Sequence, residues 1–178
     1  MLENNFYLYI VIGLVAISSL SIVFNILQRR TISQLKESSE TLIKDAYFNP
    51  VTSLPNDNNF TIVIKEQIDR AQRHEKAFLL LYIKLKHFNN DEDIVNIGSK
   101  LSETLRNEDF LAHIGEDEFV VLFNEYLEAE NYEIVIKRIV NAFPKYSIRV
   151  GTSIYPIDAK DKKYLVAKAR EDSLNALY

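Results

Sequence analysis

Residues 6–27 read FYLYIVIGLVAISSLSIVFNIL, an apolar run without one charged side chain. At about 1.5 Å of helix rise per residue the run spans roughly 30 Å, the thickness of a bilayer's hydrocarbon core. Ser18, Ser19 and Ser21 are tolerable there, because a serine hydroxyl returns to the helix backbone. Tyr7 and Tyr9 stand where interfacial aromatics stand. The pattern predicts a transmembrane helix. A cleaved signal peptide needs a basic n-region and a shorter apolar core, whereas residues 1–5 are Met-Leu-Glu-Asn-Asn. A buried core helix would carry a polar stripe, and this run carries none. Arg29 and Arg30 follow it, with Lys36 and Lys44 beyond. The positive-inside bias therefore puts the C-terminal side in the cytoplasm and residues 1–5 outside. The expected location is the inner (cytoplasmic) membrane, single-pass, with no extracytoplasmic domain to sense a ligand.

Over residues 28–47 the pattern changes to a narrow seam. Ile32, Leu35, Ser39, Leu42 and Ala46 recur at alternating spacings of three and four. That is the pattern of a short two-stranded coiled coil and of a homodimer through 32–46; it is equally that of one helix continuing out of the membrane.

From residue 48 to 178 the texture is that of a folded domain. Asn49-Pro50 and Leu54-Pro55-Asn56-Asp57 are turn chemistry. Residues 60–74 predict an amphipathic helix burying Ile62, Ile64, Ile68 and Ala71. Residues 78–85, FLLLYIKL, predict a central strand buried on both faces. Asn89 to Asp93 reads as a solvated acidic loop, and 94–105 as a helix with Ile97, Leu101 and Leu105 inward. The runs FLAHI and FVVLF flank Gly115-Glu116-Asp117-Glu118, a β-hairpin with an acidic tip. A helix over 132–143 (Ile134, Ile136, Ile139 and Val140 buried), a strand over 146–154 and a helix over 161–178 complete the order. The implied fold class is α/β, a sandwich with a central mixed or antiparallel sheet flanked by helices.

Composition narrows the function classes. The chain has 178 residues, 47% of them hydrophobic and 11% aromatic, enough for one core after the anchor. With no cysteine it has no disulfide framework and no thiolate metal site. A net charge of −4 argues against a nucleic-acid partner. His74, His87 and His113 are not at ligand spacing and read as surface or strand residues, so no metal site is expected from them. No phosphate loop, nucleophile–base pair or helix-turn-helix is present in the sequence.

The acidic hairpin and its surroundings resemble the GGDEF family, the diguanylate cyclases, from about Ala46 to the end. Residues 46–56, AYFNPVTSLPN, resemble the family's opening D-P-L-T-G-L-P-N. Residues 83–88, IKLKHF, resemble the first strand's D-x-D-x-F-K region, and 113–119, HIGEDEF, resemble R-x-G-G-D-E-F. Arg149-Val150-Gly151 with Tyr155-Pro156 resembles the S-x-G…Y-P strand, and 169–178 the closing A-D-x-A-L-Y helix. The resemblance implies the fold of a cyclase that condenses two GTP molecules, one held by each protomer, with divalent metal neutralising the phosphates.

Against that pattern several positions differ. Lys84 and Lys86 stand where the first strand's two aspartates stand. An ammonium cannot ligate Mg²⁺, which demands oxygen. Glu116 replaces the signature's second glycine and adds a charged side chain beside the phosphates. Asn89 stands at the family's lysine, and the base-reading stretch is contracted to Asn90-Asp91-Glu92-Asp93. Asp117, Glu118 and Phe119 are retained, as a residual metal site or as an acidic tip kept for turn geometry. The expectation is therefore a domain that is not an enzyme, without catalytic residues, metal or cofactor. It would act as a membrane-tethered signalling and scaffold module for protein partners of unknown identity. The alternative is a residual GTP-binding protein or weak diguanylate cyclase.

Arg106-Asn107-Glu108-Asp109 is an R-x-x-D motif, separated from Gly115 by residues 110–114. That spacing matches the family's inhibitory site, which binds cyclic di-GMP. A guanidinium suits guanine O6 and N7, and a carboxylate accepts from N1–H and N2–H₂. The resemblance recruits a second basic residue from the following helix, Arg138 or Lys137. The competing reading is a local ion pair at the helix end, which is worth little at a surface.

Overall fold

The computed structural model describes residues 2–86, 90–123 and 129–175, without the side chains of 2–12, 15–17, 23, 37 and 129–131. His87 and Asn89 lie outside the described residues, as do 176–178 of the closing motif. The chain divides into two compact units, Met1–Lys44 and Asp45–Tyr178.

The first unit belongs to one long helix, α1 (Leu2–Tyr47). The side chains of Leu14, Leu20, Ile22, Phe24, Ile26 and Leu27 are all exposed, as are Ile32, Leu35 and Leu42 of the predicted seam. The side chains of Tyr7 and Tyr9 lie outside those described. Among the described residues no helix is long and apolar enough to cross a membrane.

The second unit carries α2 (Asp57–Arg73), β1 (Phe78–Lys86), α3 (Asp91–Thr104), β2 (Phe110–His113) and β3 (Glu118–Leu122). It continues through α4 (Ala129–Ala142), β4 (Ser147–Tyr155) and α5 (Lys162–Asn175). The strands form one sheet in the order β2-β3-β1-β4, and every pairing is antiparallel. β1 lies inside the sheet, which is why its sequence is a continuous apolar run. Its alternate side chains enter two cores: Leu79, Leu81, Ile83 and Leu85 pack with residues of α3 and α4, while Phe78, Leu80 and Tyr82 pack with those of α2 and α5.

Helix starts follow their caps. Asn56 accepts from the N–H groups of Asn58 (3.0 Å) and Asn59 (3.1 Å) and so begins α2. Asn90 accepts from Asp93 N–H at 2.9 Å and begins α3. Asp91, Glu92 and Asp93 thus form the first turn of a helix, not a loop, where carboxylates favour the positive end of the dipole. The expected inward faces also need correction. Ile62 and Ile134 are 47% and 63% exposed; on α2 Phe60 is fully buried instead, and on α4 Ile136 and Ile139 face the core.

Gly151 on β4 lies directly against α5. A Cβ there would collide with the backbone of Ala169 and Ser173, so no larger residue fits. Asp172 of α5 accepts from Thr152 N–H (2.8 Å) and Asp158 from Ile154 N–H (2.6 Å) along the outer edge of β4. At the opposite edge His113 N–H on β2 donates to the Pro55 carbonyl at 2.8 Å.

Candidate nucleotide-signalling site

The hairpin of β2 and β3 is closed by Ile114 N–H donating to the Glu118 carbonyl at 2.9 Å. Leu85 N–H of β1 donates to the Asp117 carbonyl at 3.0 Å, fixing the acidic tip against the end of β1. Register places Lys84 between Glu118 on β3 and Arg149 on β4. All three share a sheet face with Tyr82. Lys86 is exposed at the end of β1, and Glu116 is exposed at the tip.

The Lys84 ammonium lies 3.0 Å from Asp117 Oδ1 and 3.3 Å from Glu118 Oε1. The other Glu118 oxygen, Oε2, accepts from Arg170 Nη2 of α5 at 2.6 Å. Arg170 also sits over the Tyr82 ring, 5.4 Å from its centroid. The hydrogen bond to Asp117, foremost, holds the Lys84 ammonium above the usual lysine value. Burial pushes the Glu118 carboxyl up, but Tyr82, Arg170 and Lys84 together outweigh it and hold it below the usual range. Burial, then the facing Glu118 carboxylate, pushes the Tyr82 phenol up to about 12. Arg170 is the member that sequence reasoning missed: it lies on the last helix, and no local motif marks it.

His113, read from sequence as a surface or strand residue, is the buried floor of this hairpin. Its ring stacks on Phe119 with centroids 4.3 Å apart. Nε2 lies 3.3 Å from the Glu116 carbonyl, which only accepts, so Nε2 carries the proton and Nδ1 accepts from the Thr52 hydroxyl at 3.1 Å. Thr52 belongs to the NPVTSLPN turn. Its Asn49 side chain accepts from the N–H groups of Val51 and Thr52, and its Ser53 takes a left-handed φ of 56°. The opening motif and the signature hairpin therefore meet at one histidine.

The R-x-x-D residues sit at the entry to β2. Asp109 Oδ2 accepts from the Arg106 main-chain N–H at 3.0 Å, and Asp109 N–H donates back to the Arg106 carbonyl at 3.1 Å. The carboxylate thus closes a turn; the guanidinium of Arg106 is exposed and its ion pair is with Glu108, at 3.7 Å. The Asp109 carboxyl stands above its usual value, through burial first and then the nearby Glu108. The Arg106 main-chain bond and the charges of Arg106 and Arg138 act on Asp109 in the opposite direction. Lys137, the other basic candidate, pairs with Glu133 on its own helix at 3.7 Å.

The sequence profile described as "Diguanylate cyclase, GGDEF domain" matches residues 46–176. The chain belongs to the GGDEF family. It is 22% identical over 161 residues to the probable diguanylate cyclase DgcC of Escherichia coli K12, a match covering 80% of this chain and 43% of that protein. With the diguanylate cyclase TpbB of Pseudomonas aeruginosa it shares 29% over 123 residues, 62% of this chain and 28% of the relative. The chain spans less than half the length of either curated relative. The crystal structure of the coiled coil and GGDEF domain of DgcB from Caulobacter crescentus, in complex with c-di-GMP, superposes with a TM-score of 0.69 at 16% identity. That superposition covers 83% of this chain and 88% of the other.

These matches confirm the GGDEF-like α/β fold with an antiparallel sheet flanked by helices. They overturn the expectation, drawn from Lys84, Lys86 and Glu116, of a chain that is not an enzyme. The family matched is a cyclase family, and the named relatives are diguanylate cyclases. The divalent metal implied by the family does not fit the hairpin as built here. Asp117 and Glu118 would be its donors, yet three of their four carboxylate oxygens already meet Lys84 or Arg170. Among the described residues no group of three His, Cys, Asp or Glu side chains is gathered to hold an ion.

Proposed function

We propose that this chain is a membrane-anchored GGDEF domain of cyclic di-GMP signalling that receives cyclic di-GMP at Arg106, Asp109 and Arg138. The observation that carries the reading is the R-x-x-D turn itself: Asp109 is held by the Arg106 main-chain N–H at the entry to β2, and the Arg106 guanidinium is exposed, with a long contact to Glu108. A guanidinium and a carboxylate on one turn suit a guanine base, which offers O6 and N7 to a cation and N1–H to a carboxylate. The c-di-GMP complex of the DgcB domain, which has the same fold, adds weight.

The anchor rests on the sequence of residues 6–27 and on the exposure of the apolar side chains described there. An uncharged helical run that is apolar on every side is suited to lipid. The domain would then hang on the cytoplasmic side of the inner membrane, presenting surface to protein partners and pairing through 32–46.

Calorimetric titration of cyclic di-GMP onto the full chain in detergent tests the ligand. The expected result is saturable binding that Arg106→Ala weakens at least ~10-fold, the size expected when a charge-assisted hydrogen bond is lost. Absence of heat at high micromolar ligand, or equal binding by Arg106→Ala, would end the reading.

A further inference from the structure

We propose that Lys84 is a resident cation that takes the place of a divalent metal ion in the signature hairpin, so that the domain does not take such an ion there. This goes beyond the Arg106 reading and does not depend on it.

The first support is the donor set. A divalent ion needs oxygen lone pairs directed at one point. Here Asp117 Oδ1 and Glu118 Oε1 are both directed at the Lys84 ammonium, at 3.0 and 3.3 Å. Glu118 Oε2 is turned toward Arg170 at 2.6 Å, and the Asp117 main-chain carbonyl is used by Leu85 N–H. An ion entering would have to displace the lysine and then stand beside its charge.

The second support is charge balance. Asp117 and Glu118 carry two negative charges, and Lys84 and Arg170 carry two positive ones. Glu118 is only 18% exposed and Lys84 29%, so water screens the pair incompletely. A cluster already neutral in itself gains little from a further dication.

The third is anchorage. Lys84 is held on a central strand between Glu118 and Arg149 by ladder register, not by a loose loop. Its position over the acidic pair is therefore set by the fold. Arg170 is fixed in turn by Tyr82 beneath it and by α5, whose packing requires Gly151.

The test uses Mn²⁺ with the full chain in detergent. Binding is followed by loss of the free-ion paramagnetic signal, and stability by melting with Mn²⁺ or with chelator. The wild-type chain is expected to leave the signal unchanged and to melt at the same temperature under both conditions. Lys84→Met should melt lower than wild type in chelator and regain several degrees in Mn²⁺, because the acidic pair then lacks its cation. Lys84→Asp, which adds an oxygen donor, should take up Mn²⁺ and become dependent on it for stability. If Lys84→Asp fails to fold, Lys84→Met decides alone. Stoichiometric uptake by the wild-type chain that is abolished by Glu118→Gln would overturn the proposal. So would a Lys84→Met chain that melts like wild type, or one whose melting ignores Mn²⁺.

Discussion

His113 is the residue on which the hairpin and the opening turn both depend, and its protonation is therefore a stability term. Burial, above all, lowers its pKa from the ordinary 6.5, against the pull of the Glu116 and Gly115 carbonyls and Asp117. With its folded pKa depressed, the unfolded chain binds the proton more readily. The stabilisation is whole above about 6.5 and is lost as pH falls through the folded value. Melting temperature should accordingly decline from pH 7 toward pH 5, and the decline should be shallower in His113→Gln. Parallel profiles for the two chains would show that another group titrates. Little of this was legible beforehand. A histidine before a Gly-Glu-Asp tip reads as a surface or strand residue, and the stacking of Phe119 and the contact of Thr52 from the opening turn accompany its burial.

At the scale of elements, the end of α2 stores a removable cost. Lys76 N–H donates to the Ala71 carbonyl at 2.9 Å, the long bond of a helix-ending motif whose left-handed position falls on Glu75, with φ 51°. Glycine suits that position, since a Cβ in the left-handed region costs about 1–2 kcal/mol. Glu75→Gly should therefore raise the unfolding free energy by about 0.5–1 kcal/mol after glycine's greater unfolded-state freedom is subtracted. Chemical denaturation reads this directly, and a loss of stability would contradict it. Elements were the most legible level of the sequence. β1 declared itself because a strand covered on both faces needs no polar alternation. The errors came where periodicity leaves a boundary free: Ile62 and Ile134 lie at the margin of an apolar stripe, and in α2 packing in the core shared with α5 and the sheet chose Phe60 instead of Ile62. The acidic run 91–93 looked like a loop because carboxylates favour both solvent and a helix start, and Asn90 was the deciding signal.

For the whole molecule, the proposed anchor has a direct consequence. The full chain should sediment with membranes and resist alkaline extraction, while a chain lacking residues 1–27 should remain in the supernatant. Extraction of the full chain by alkali would assign α1 to another partner. Membership of the GGDEF family was legible from five short motifs in order. The Lys84, Asp117, Glu118 and Arg170 cluster was legible only in part, because residue 170 is brought to residue 118 by tertiary packing alone.

The bonds from Thr152 and Ile154 to Asp172 and Asp158, and from His113 to Pro55, have a bearing on assembly. At these three positions the main-chain donor at the sheet margin is already taken by the domain itself. A neighbouring copy therefore finds no free donor there on which to lay a strand. Strand addition at those places would first have to break the domain's own bonds.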